Sequence, residues 1–497
     1  MNIKPDYSEF KKYLKRGNVI PVCLDLPGDL ETPVSVFLKL ARKKEHAFLL
    51  ESVELEEKLG RFSLIGMDPA FILEYKNERC FYSKKNGSRK TVLLGDLLKI
   101  IETILKRYRL VATMKLPPLV GGLVGFIGYE MVQQFEDIEF RAKNGLDVPD
   151  SVFTFPTNLI IFDHIKHQLK LIHLAILNGS PAKTYQRAIR QLKRIKTDLG
   201  RSAPPVSSLQ FKKRSGRKIE LRSNMSKKQF ETMVGQAKRH IRAGDCIQIV
   251  LSQRFGLGHI PDDFTLYRAL RSLNPSPYMF YFRHQNLSLV GSSPEMLAKK
   301  TGKMAEIRPI AGTRPRGETE AKDLAYEMAL RNSPKEMAEH LMLVDLGRND
   351  LGRVCNPRSV RVHDFARIER YSHVMHLVSE IKAVLKQGKT AFDLLRASFP
   401  AGTVAGAPKI RAMQIIDELE QERRGPYGGS LGYFSLNGDM DMCITIRTIV
   451  VHKGQAYVQA GAGIVNDSVP AKEFQETINK AKALLQAVEK SWGIEIP

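Results

Sequence analysis

The stretch Pro309–Glu320, with the sequence PIAGTRPRGETE, directly follows the strand-like segment MAEIR at Met304–Arg308. Its twelve residues include two prolines, two glycines, two arginines and two threonines. Proline lacks a backbone donor, and glycine loses more backbone entropy on folding than other residues, so the stretch is a poor helix and a poor central strand. The sequence therefore predicts a rigid, cationic loop at the end of a strand.

The composition of the 497-residue chain is that of an ordinary soluble globular protein, with 43% hydrophobic and 26% charged residues. No run approaches the ~18 apolar residues of a membrane span, and Met1–Gly17 lacks the apolar core of a signal peptide. The five cysteines are scattered and form no CxxC pair. This pattern favours a reducing compartment, the cytoplasm, with no membrane association.

The formal net charge of +24 is high and allows two interpretations. One is a basic protein that binds nucleic acid, because a cationic surface attracts phosphate. The other is solubility combined with attraction of a small anionic substrate. Basic residues are spread along the chain, and zinc-finger spacing, an RNA-binding sheet signature and a heptad zipper are all absent from the sequence. We therefore expect no nucleic-acid partner.

Three regions follow from the pattern along the chain. Residues 1–200 mix strand-like and helical segments, residues 201–223 form a polar and basic linker, and residues 224–497 alternate strands and helices in groups. Within the first region, the Gly-rich segment Gly121–Glu130 predicts close approach of another backbone. Pro181–Leu199 has the spacing of an amphipathic helix.

Two pairs of glutamates lie on predicted helices. Glu336 and Glu339 are three residues apart, as are Glu473 and Glu476. Residues at i and i+3 share one helix face, so two such faces turned toward each other would gather four carboxylates. That set of hard oxygen ligands suits Mg²⁺. The alternative, taken from the residues alone, is a pair of solvated helix faces.

Other segments predict the binding of an anion. Gly402–Pro408 precedes a helix, whose first backbone amides bind carboxylates, and Lys409 adds a positive charge. Val458–Ser468 predicts a second small-residue turn. Arg447 lies in a predicted apolar strand, where it needs a carboxylate, either from a ligand or from an internal ion pair. His376 is a candidate proton carrier or a structural histidine.

Eight motifs occur in order along the second half of the chain. They are GSSPEML (Gly291–Leu297), RPIAGTRPRG (Arg308–Gly317), EMAEHLMLVDLGRNDLGRV (Glu336–Val354), RYSHVMHLVSEI (Arg370–Ile381), GTVAGAPKIRAM (Gly402–Met413), RRGPYGGSLGYFS (Arg423–Ser435), DMDMCITIRT (Asp439–Thr448) and QAGAGIVNDSVPAKEFQETINKA (Gln459–Ala481). Together they closely resemble the chorismate-utilising enzymes, and specifically the anthranilate synthase large subunits of that family. The resemblance is strong from about residue 224 onward and weaker in the first half.

The resemblance implies an α+β fold in which two packed antiparallel sheets carry outer helices. It implies that residues 224–497 form the chorismate-binding catalytic domain and that Mg²⁺ is the cofactor. The implied metal ligands are Glu339, Glu476, Glu336 and Glu473. The implied catalytic residues are Glu295, His376 and Thr403. The implied substrate-binding residues are Gly312, Thr313, Tyr427, Arg447, Gly461, Ala462, Gly463 and Lys480.

Two positions separate the members of the family. Water-using relatives carry a lysine base where this chain has Gln248, and ammonia needs no such base. Aminodeoxychorismate synthases typically carry a lysine nucleophile where this chain has Ala311. Both residues favour a reaction that converts chorismate and ammonia to anthranilate and pyruvate, the first committed step of tryptophan synthesis. The alternative is component I of an aminodeoxychorismate synthase, in the folate pathway.

A source of ammonia and a feedback inhibitor are also implied. No cysteine lies in a G-x-C-x-G elbow, so we expect a separate glutamine amidotransferase subunit, the component II of such synthases. The first region resembles the tryptophan feedback region of the family. The implied inhibitor-binding residues are Glu51, Ser52, Pro275, Tyr278 and Met279. From the residues alone, the same segments are equally well a strand end and a turn.

Overall fold

The computed structural model of the protein describes residues 3–52, 60–84, 90–112, 117–141, 144–203, 221–371 and 374–492. The strands in this part of the chain are β1 (Ile3–Lys4), β2 (Val19–Pro27), β3 (His46–Glu51), β4 (Phe62–Lys76), β5 (Arg79–Lys84), β6 (Thr91–Leu93), β7 (Gly122–Ile127), β8 (Ser151–Asp163), β9 (Gln168–Ile176), β10 (Arg222–Ser223), β11 (Gln248–His259), β12 (Tyr278–His284), β13 (Leu287–Ser293), β14 (Met296–Thr301), β15 (Met304–Ile307), β16 (Ile310–Pro315), β17 (Arg361–Arg370), β18 (Val374–Val384), β19 (Gly406–Ala407), β20 (Ser430–Ser435), β21 (Met440–Ile444), β22 (Thr448–His452) and β23 (Gln455–Ile464). The α-helices are α1 (Tyr7–Tyr13), α2 (Pro33–Leu40), α3 (Leu97–Leu105), α4 (Pro181–Leu199), α5 (Lys227–Arg242), α6 (Asp263–Leu273), α7 (Glu320–Arg331), α8 (Pro334–Val354), α9 (Ala391–Ser398), α10 (Lys409–Leu419) and α11 (Pro470–Trp492). Single 3-10 turns cover Tyr129–Gln134, Pro357–Ser359 and Gly402–Val404.

The strands pair antiparallel, and strands from both ends of the chain lie side by side. β3 from the first region pairs with β12 from the third, so that Glu51 lies opposite Met279. β7 pairs with β20 in the same way. The predicted α+β class, with antiparallel sheets and outer helices, is confirmed. The division at residues 201–223 remains a prediction, and most of that linker lies outside the described residues.

Two large apolar cores lie on opposite faces of the strands. Leu64 of β4 belongs to a core built mainly from strands, including β7, β8 and β20. The next residue, Ile65, belongs to a second core, where α2, α4, α6 and α11 cover the sheet. This alternation follows from the two-residue period of a strand, and it explains why β4 is apolar on both faces.

Serine N-caps mark the starts of three helices. α4 covers the predicted range Pro181–Leu199, with Ser180 as its N-cap. α5 begins after Ser226, which forms a capping box with Gln229. α8 begins with Ser333 at the N-cap and Pro334 as its first residue. Each cap supplies an acceptor to an amide that the helix leaves unpaired, so local chemistry decides these boundaries.

The Gly-rich segment Gly121–Glu130 forms β7, which lies between β8 and β20. A Cβ atom on Gly125 would lie 1.9 Å from the carbonyl oxygen of Val152, and one on Gly122 would lie 2.0 Å from that of Phe434. The predicted close approach of another backbone is therefore confirmed.

The prediction of a loop at Pro309–Glu320 is wrong for its first half. Residues Ile310–Pro315 form β16, which pairs with β18. The register shifts between Ala311 and Thr313, and Gly312 has φ +63°, so the strand contains a glycine bulge. In the described residues β16 pairs along one side only, which leaves room for Pro315 at its end. The second half leads into α7, whose N-cap is Thr319.

Two more local predictions are corrected. The predicted turn at Val458–Ser468 is largely strand, because β23 continues to Ile464 and pairs with β11. Arg447 does not lie inside a strand: it lies between β21 and β22 with φ +50°. This left-handed conformation is uncommon for a residue with a side chain, and such strain is concentrated at functional sites.

All five cysteines are buried and form no disulfide. Burial raises the pKa of Cys246 to about 11, so this thiol stays protonated near neutral pH. Among the described residues, no helix is long and apolar enough to cross a membrane.

Candidate active site

Arg447 is a half-buried cation in the candidate site. Its guanidinium donates a hydrogen bond to the carbonyl oxygen of Lys480 at 2.6 Å. Within the described part of the chain, no carboxylate lies within ion-pair distance of it. Burial lowers the pKa of Arg447, although the side chains of Tyr427 and Glu476 partly oppose this. An arginine in such surroundings is a ready partner for an anionic ligand.

The main chain of β23, at positions that have no side chain, forms one wall of the site beside Arg447. A Cβ atom on Gly461 would lie 2.7 Å from the hydroxyl oxygen of Tyr427, and one on Gly463 would lie 2.6 Å from Nε2 of Gln248. The methyl group of Ala462, between them, belongs to an apolar core. The strand therefore presents only main-chain atoms to the site, and glycine is required because any side chain would fill the space.

Lys480 connects this wall to the acidic side of the site. Its ammonium group donates a hydrogen bond to the carbonyl oxygen of Gly461 at 2.9 Å and pairs with Glu476 at 2.7 Å. Lys480 follows Glu476 by one helical turn of α11, so both side chains lie on one helix face. These two contacts connect α11 to β23.

The glutamates of α8 and α11 face one another. Burial raises the pKa of Glu339, and the negative charges of Glu336 and Glu476 raise it further. Gln248 of β11 donates a hydrogen bond to Glu339 at 3.4 Å. Burial also raises the pKa of Glu473, with a further contribution from Glu476. Carboxylates that repel one another in this way are stabilised by a cation.

The donor set fits Mg²⁺, but the four carboxylates do not converge on one point. In the described ranges, no three acidic, histidine or cysteine side chains are grouped closely enough to hold a metal ion. Glu336 is paired with Arg314 at 3.1 Å and Glu476 with Lys480. Mg²⁺ needs only one or two carboxylates, because water and substrate oxygens complete its octahedron. Glu339 and Glu476 are the residues that could supply them.

Glu295 is a buried carboxyl group on the other side of the site. It is only 7% exposed, and burial raises its pKa to about 8, with partial opposition from Thr403 and the charge of Lys480. The Thr403 hydroxyl is buried, and its contact with Glu295 falls short of hydrogen-bond geometry. Both residues line a cleft of about 350 Å³. A carboxyl group that stays protonated near neutral pH can act as a general acid.

His376 lies across from Gly312 and Thr313, the bulge of β16. Its Nδ1 atom is 2.9 Å from the carbonyl oxygen of Gly312 and 3.1 Å from the Thr313 hydroxyl. Burial lowers the pKa of His376, and the positive charge of Arg447 contributes. The imidazole is therefore neutral near pH 7. Since a carbonyl can only accept, Nδ1 carries the proton and Nε2 is the basic nitrogen.

The loop Gly402–Pro408 and Lys409 differ from the sequence prediction in one respect. Lys409 pairs with the Asp350 carboxylate at 2.9 Å, and both side chains are about 90% buried. Its charge is therefore not available to an anion, and that part of the prediction is wrong. The loop itself lines the site through Thr403.

Several residues that shape the site were not predicted from the sequence. Arg314 neutralises Glu336, and Arg424 forms a buried pair with Glu420 behind the loop. Glu130 accepts hydrogen bonds from the amides of Arg424 and Gly425. A glutamate four residues before an arginine is a weak signal of an ion pair, and the other contacts join residues distant in sequence.

The predicted inhibitor region lies at the pairing of β3 with β12. The Glu51 carboxylate accepts hydrogen bonds from Arg271 at 2.9 and 3.3 Å, from Tyr267 and from Ser63. The hydroxyl of Ser52 is buried, and it has no hydrogen-bond partner among the described residues.

The remaining residues of that region lie along the turn before β12 and its first residues. Met279 is opposite Glu51, and Tyr278 donates a hydrogen bond to Asp441 at 3.0 Å. Pro275 is half-buried in the turn. The five predicted residues thus lie in one neighbourhood, where the charge of Glu51 is already balanced.

Comparison with known proteins identifies the class. Residues 45–486 match the model of the chorismate binding enzyme family. The chain therefore belongs to the chorismate binding enzymes, in agreement with the motifs.

Relatives that align over nearly the whole chain indicate which members of this family the chain resembles. The chain is 43% identical to anthranilate synthase component 1 of Acetivibrio thermocellus, over 99% of both chains. It is 44% identical to the protein of that name from a Synechocystis species, over 98% of this chain and 99% of the relative. The crystal structure of anthranilate synthase component I from Streptococcus pneumoniae matches with a TM-score of 0.76 and 35% identity, covering 92% of this chain and 98% of that one. An Escherichia coli isochorismate synthase shares the fold, with a TM-score of 0.71 at 19% identity.

Proposed function

We propose that this chain is the large subunit of an anthranilate synthase, which converts chorismate and ammonia to anthranilate and pyruvate. The observation that carries the proposal is the half-buried guanidinium of Arg447, which lacks an ion-pair partner in the described residues and lies in the same site as the facing glutamates of α8 and α11. A substrate with two carboxylates matches both features. The names of the full-length relatives support the same reaction.

Arg447 and Tyr427, with the backbone of Gly461–Gly463, would hold the enolpyruvyl carboxylate. Burial raises the pKa of Tyr427 to about 12, so the phenol keeps its proton and donates a hydrogen bond. The bare strand allows the flat ring to lie against the main chain. Positioning and charge stabilisation of this kind lower the barrier without a covalent intermediate.

The first chemical step is addition of ammonia at C2 of the ring while the C4 hydroxyl leaves. Glu295 would protonate that hydroxyl, because its raised pKa keeps it in the acid form. Gln248 is a neutral amide bonded to Glu339, and it cannot activate water. Ammonia carries its own lone pair and needs no base before it attacks.

In the second step the bond from C3 to the enolpyruvyl oxygen breaks and the released enolpyruvate takes up a solvent proton to become pyruvate, while C2 loses its proton and the ring becomes aromatic. His376 would accept that proton at Nε2, because the Gly312 carbonyl holds the proton on Nδ1. Thr403 and Thr313 line the ring on either side. Ala311 on β16 offers no nucleophile, which disfavours the aminodeoxychorismate reaction.

We further propose that Mg²⁺ binds between Glu339 and Glu476, with Glu336 and Glu473 supporting it directly or through water. When bound, the ion supplies positive charge for the ring carboxylate of chorismate. Lys480 would limit the repulsion between this site and the enolpyruvyl carboxylate site by its position between Glu476 and Gly461.

A separate glutamine amidotransferase, component II, would supply ammonia, since none of the five cysteines lies in a nucleophile elbow. Tryptophan would act as feedback inhibitor in the region of Glu51, Ser52, Pro275, Tyr278 and Met279. Since all five cysteines are buried and unpaired, we place the enzyme in the reducing cytoplasm.

The direct test is incubation of the purified chain with chorismate, Mg²⁺ and ammonium at mildly alkaline pH. We expect anthranilate fluorescence and an equal amount of pyruvate. Glutamine should replace ammonium only when a component II is added. An aminated product without pyruvate would favour the aminodeoxychorismate synthase, and steep salt-dependent binding to random DNA without turnover would favour the nucleic-acid interpretation.

A further inference from the structure

Arg424 is a buried arginine directly behind the substrate site. It is 2% exposed and forms a two-point ion pair with Glu420, at 2.8 Å through Nε and 2.6 Å through a terminal nitrogen. Burial opposes its charge, but the Glu420 carboxylate outweighs this and raises the pKa of Arg424. The side chain is therefore a permanent cation that nothing in the proposed chemistry uses.

The other donors of Arg424 hold two segments that line the site. One terminal nitrogen donates to the carbonyl oxygen of Val404 at 2.6 Å, next to Thr403. The other donates to the carbonyl oxygen of Val250 at 2.7 Å, two residues after Gln248 on β11. Since the guanidinium is planar and rigid, these bonds fix the distance between the loop and the strand.

The guanidinium of Arg424 also packs against two aromatic rings. It lies 4.6 Å from the ring centre of Tyr129 and 5.7 Å from that of Tyr427. The backbone of the turn that leads to Tyr427 is held separately, since the Glu130 carboxylate accepts from the amides of Arg424 at 2.6 Å and Gly425 at 3.0 Å. Residues from the first region of the chain thus help to place Tyr427 in the site.

Glu420 connects Arg424 to β23 through a series of hydrogen bonds. It accepts hydrogen bonds from the backbone amide and the hydroxyl of Ser252, at 2.8 and 3.0 Å. The Ser252 hydroxyl in turn accepts from Gln459 at 2.9 Å. Ser252 lies opposite Gly461 in the sheet, so the Arg424–Glu420 pair reaches the bare glycine strand.

We propose that Arg424, held by Glu420, is a positioning residue that fixes Tyr427, the Thr403 loop and the glycine strand in one geometry for the substrate. The inference rests on the proposed function, because these three elements are the ones that would contact chorismate. Arg424 touches no reacting atom and acts only through them. The pair lies on the face of these elements away from the ligand, so its role is distinct from that of Arg447.

The test compares two variants at this pair with one control. Arg424→Lys keeps the charge but cannot make four directed bonds at once. The double variant Arg424→Met with Glu420→Gln removes both charges and keeps an acceptor for Ser252, so it avoids an unpaired buried charge. Arg283→Lys is the control, because Arg283 makes a comparable half-buried pair with Asp263 and lies away from the site.

For both site variants we expect kcat/KM for chorismate to fall about 100-fold, the cost of roughly 1 Å of misplacement. The KM for chorismate should rise while that for ammonium stays near the parent value. The alkaline limb of the pH profile should move to lower pH, because a displaced Thr403 loop admits water to Glu295. Hydrogen exchange should accelerate in residues 402–407 and 425–429. Arg283→Lys should alter none of these, even if its thermal stability falls.

The proposal is overturned if Arg424→Lys and the double variant lower thermal stability alone, with kinetic constants, pH profile and exchange of both segments like the parent. That result would leave Arg424 as an ordinary structural ion pair. The exchange measurement needs no turnover, so it decides the positioning role even if the parent chain makes no anthranilate, which would refute the proposed function instead.

Discussion

Arg447 and Glu51 are both charged side chains withdrawn from solvent, Arg447 half-buried in the candidate active site and Glu51 buried in the predicted tryptophan region. Their surroundings are opposite. Arg447 donates one hydrogen bond, to a backbone carbonyl, and lacks an ion-pair partner in the described chain. The Glu51 side chain is 1% exposed, and its two oxygens accept four hydrogen bonds, two of them from the guanidinium of Arg271.

The candidate active site contains charged groups that a ligand of opposite charge would neutralise, whereas the charge of Glu51 is already neutralised within the protein. An uncompensated buried charge destabilises the fold until an opposite charge binds. The candidate active site contains two such groups, Arg447 and the facing Glu339, and it also contains Glu295, whose raised pKa keeps it neutral near pH 7. The Glu51 cluster contains none, so a tryptophan ammonium group at Glu51 must share or displace Arg271. Each experiment below tests one side of this contrast.

Removal of the divalent metal should have the largest effect. The charge of Glu476 raises the pKa of Glu339, and the proposed Mg²⁺ would offset this repulsion and would attract the ring carboxylate of the substrate. We expect a metal chelator in excess to abolish anthranilate formation and added Mg²⁺ to restore it. Glu339→Gln should be equally inactive, whereas Glu318→Gln, at an exposed helix pair, should behave like the parent. Full activity in excess chelator would refute the metal assignment.

Glu295→Gln should lower kcat by about 10²- to 10⁴-fold, because the amide cannot donate the proton to the leaving hydroxyl. Chorismate affinity, measured by calorimetry, should change little. In the parent enzyme the acid form is the active one, so kcat should fall as the pH rises through about 8. A variant with the parent's kcat, or a parent profile that rises through this range, would exclude Glu295 as the general acid.

The same substitution should stabilise the protein at alkaline pH. The pKa of Glu295 is raised in the fold from 4.5 to about 8, so the folded state binds more protons than the unfolded state between these values. The parent's stability therefore falls as the pH rises through that range, by a few kcal/mol in total at about 1.4 kcal/mol per unit. We expect the melting temperature of Glu295→Gln to exceed that of the parent at pH 9 and to match it below pH 4.5. Equal melting temperatures at pH 9 would indicate that the carboxylate is already compensated.

Matched arginine variants compare the two regions directly. Arg447→Gln should raise the KM for chorismate about 100-fold, because a hydrogen bond between charged groups contributes roughly 3 kcal/mol to binding. The thermal stability of this variant should not fall. Arg271→Gln should leave the chorismate KM nearly unchanged but destabilise the fold by about 2–4 kcal/mol, because it leaves Glu51 buried and unpaired. Denaturant unfolding and steady-state kinetics on both variants measure this. If the free energy of unfolding falls equally in both variants, the two arginines are equally compensated, and the proposed difference between the two regions is wrong.

Part of the candidate active site could be predicted from the sequence. The pairs Glu336/Glu339 and Glu473/Glu476 have helical spacing, and Ser and Pro residues mark the helix starts, so local chemistry was sufficient there. The small residues of β23 predict a turn from the sequence, because glycines usually mark one. Their role depends on the tyrosine and glutamine that face them, Tyr427 and Gln248, from other parts of the chain.

The compensation of charges could not be read from the sequence. Lys409 was expected to face an anion, but its partner Asp350 lies 59 positions earlier. Glu51 and Arg271 are 220 positions apart. Ion pairs of this kind are decided by which strands pair, and strand pairing follows from the packing of both apolar cores rather than from any local pattern.

Ser52→Phe should weaken inhibition by tryptophan while leaving the chorismate and Mg²⁺ dependences nearly unchanged. The Ser52 hydroxyl is buried and has no partner in the described part of the chain, and a large side chain there would fill the space that a ligand needs. We expect the tryptophan concentration for half inhibition to rise within the usual range of coupling, about 5- to 150-fold. If the variant remains as sensitive as the parent, tryptophan binds elsewhere, and the Glu51 cluster is only structural.

Ser292→Ala should give the smallest effect, on the coupling between the two regions rather than on either of them. The Ser292 hydroxyl bonds to the carbonyl of Asn274 and, at 2.8 Å, to the hydroxyl of Ser276, in the turn before β12. Its backbone amide donates to the carbonyl of Arg447 at 3.0 Å. One buried residue thus connects the predicted inhibitor turn to the arginine that would hold chorismate.

The alanine variant keeps the backbone bond to Arg447 and loses only the bonds to the turn. Without tryptophan its kcat and KM should match those of the parent. With tryptophan, inhibition should weaken by roughly 5-fold, the low end of allosteric couplings, and chorismate should weaken tryptophan binding by a correspondingly smaller factor, because the coupling between two ligands is reciprocal. Ser288→Ala is the control: it lies on the same face of β13 and bonds to Asp263 instead. Calorimetry with and without chorismate measures the coupling, and a value equal to that of the parent would show that the two regions communicate through other residues.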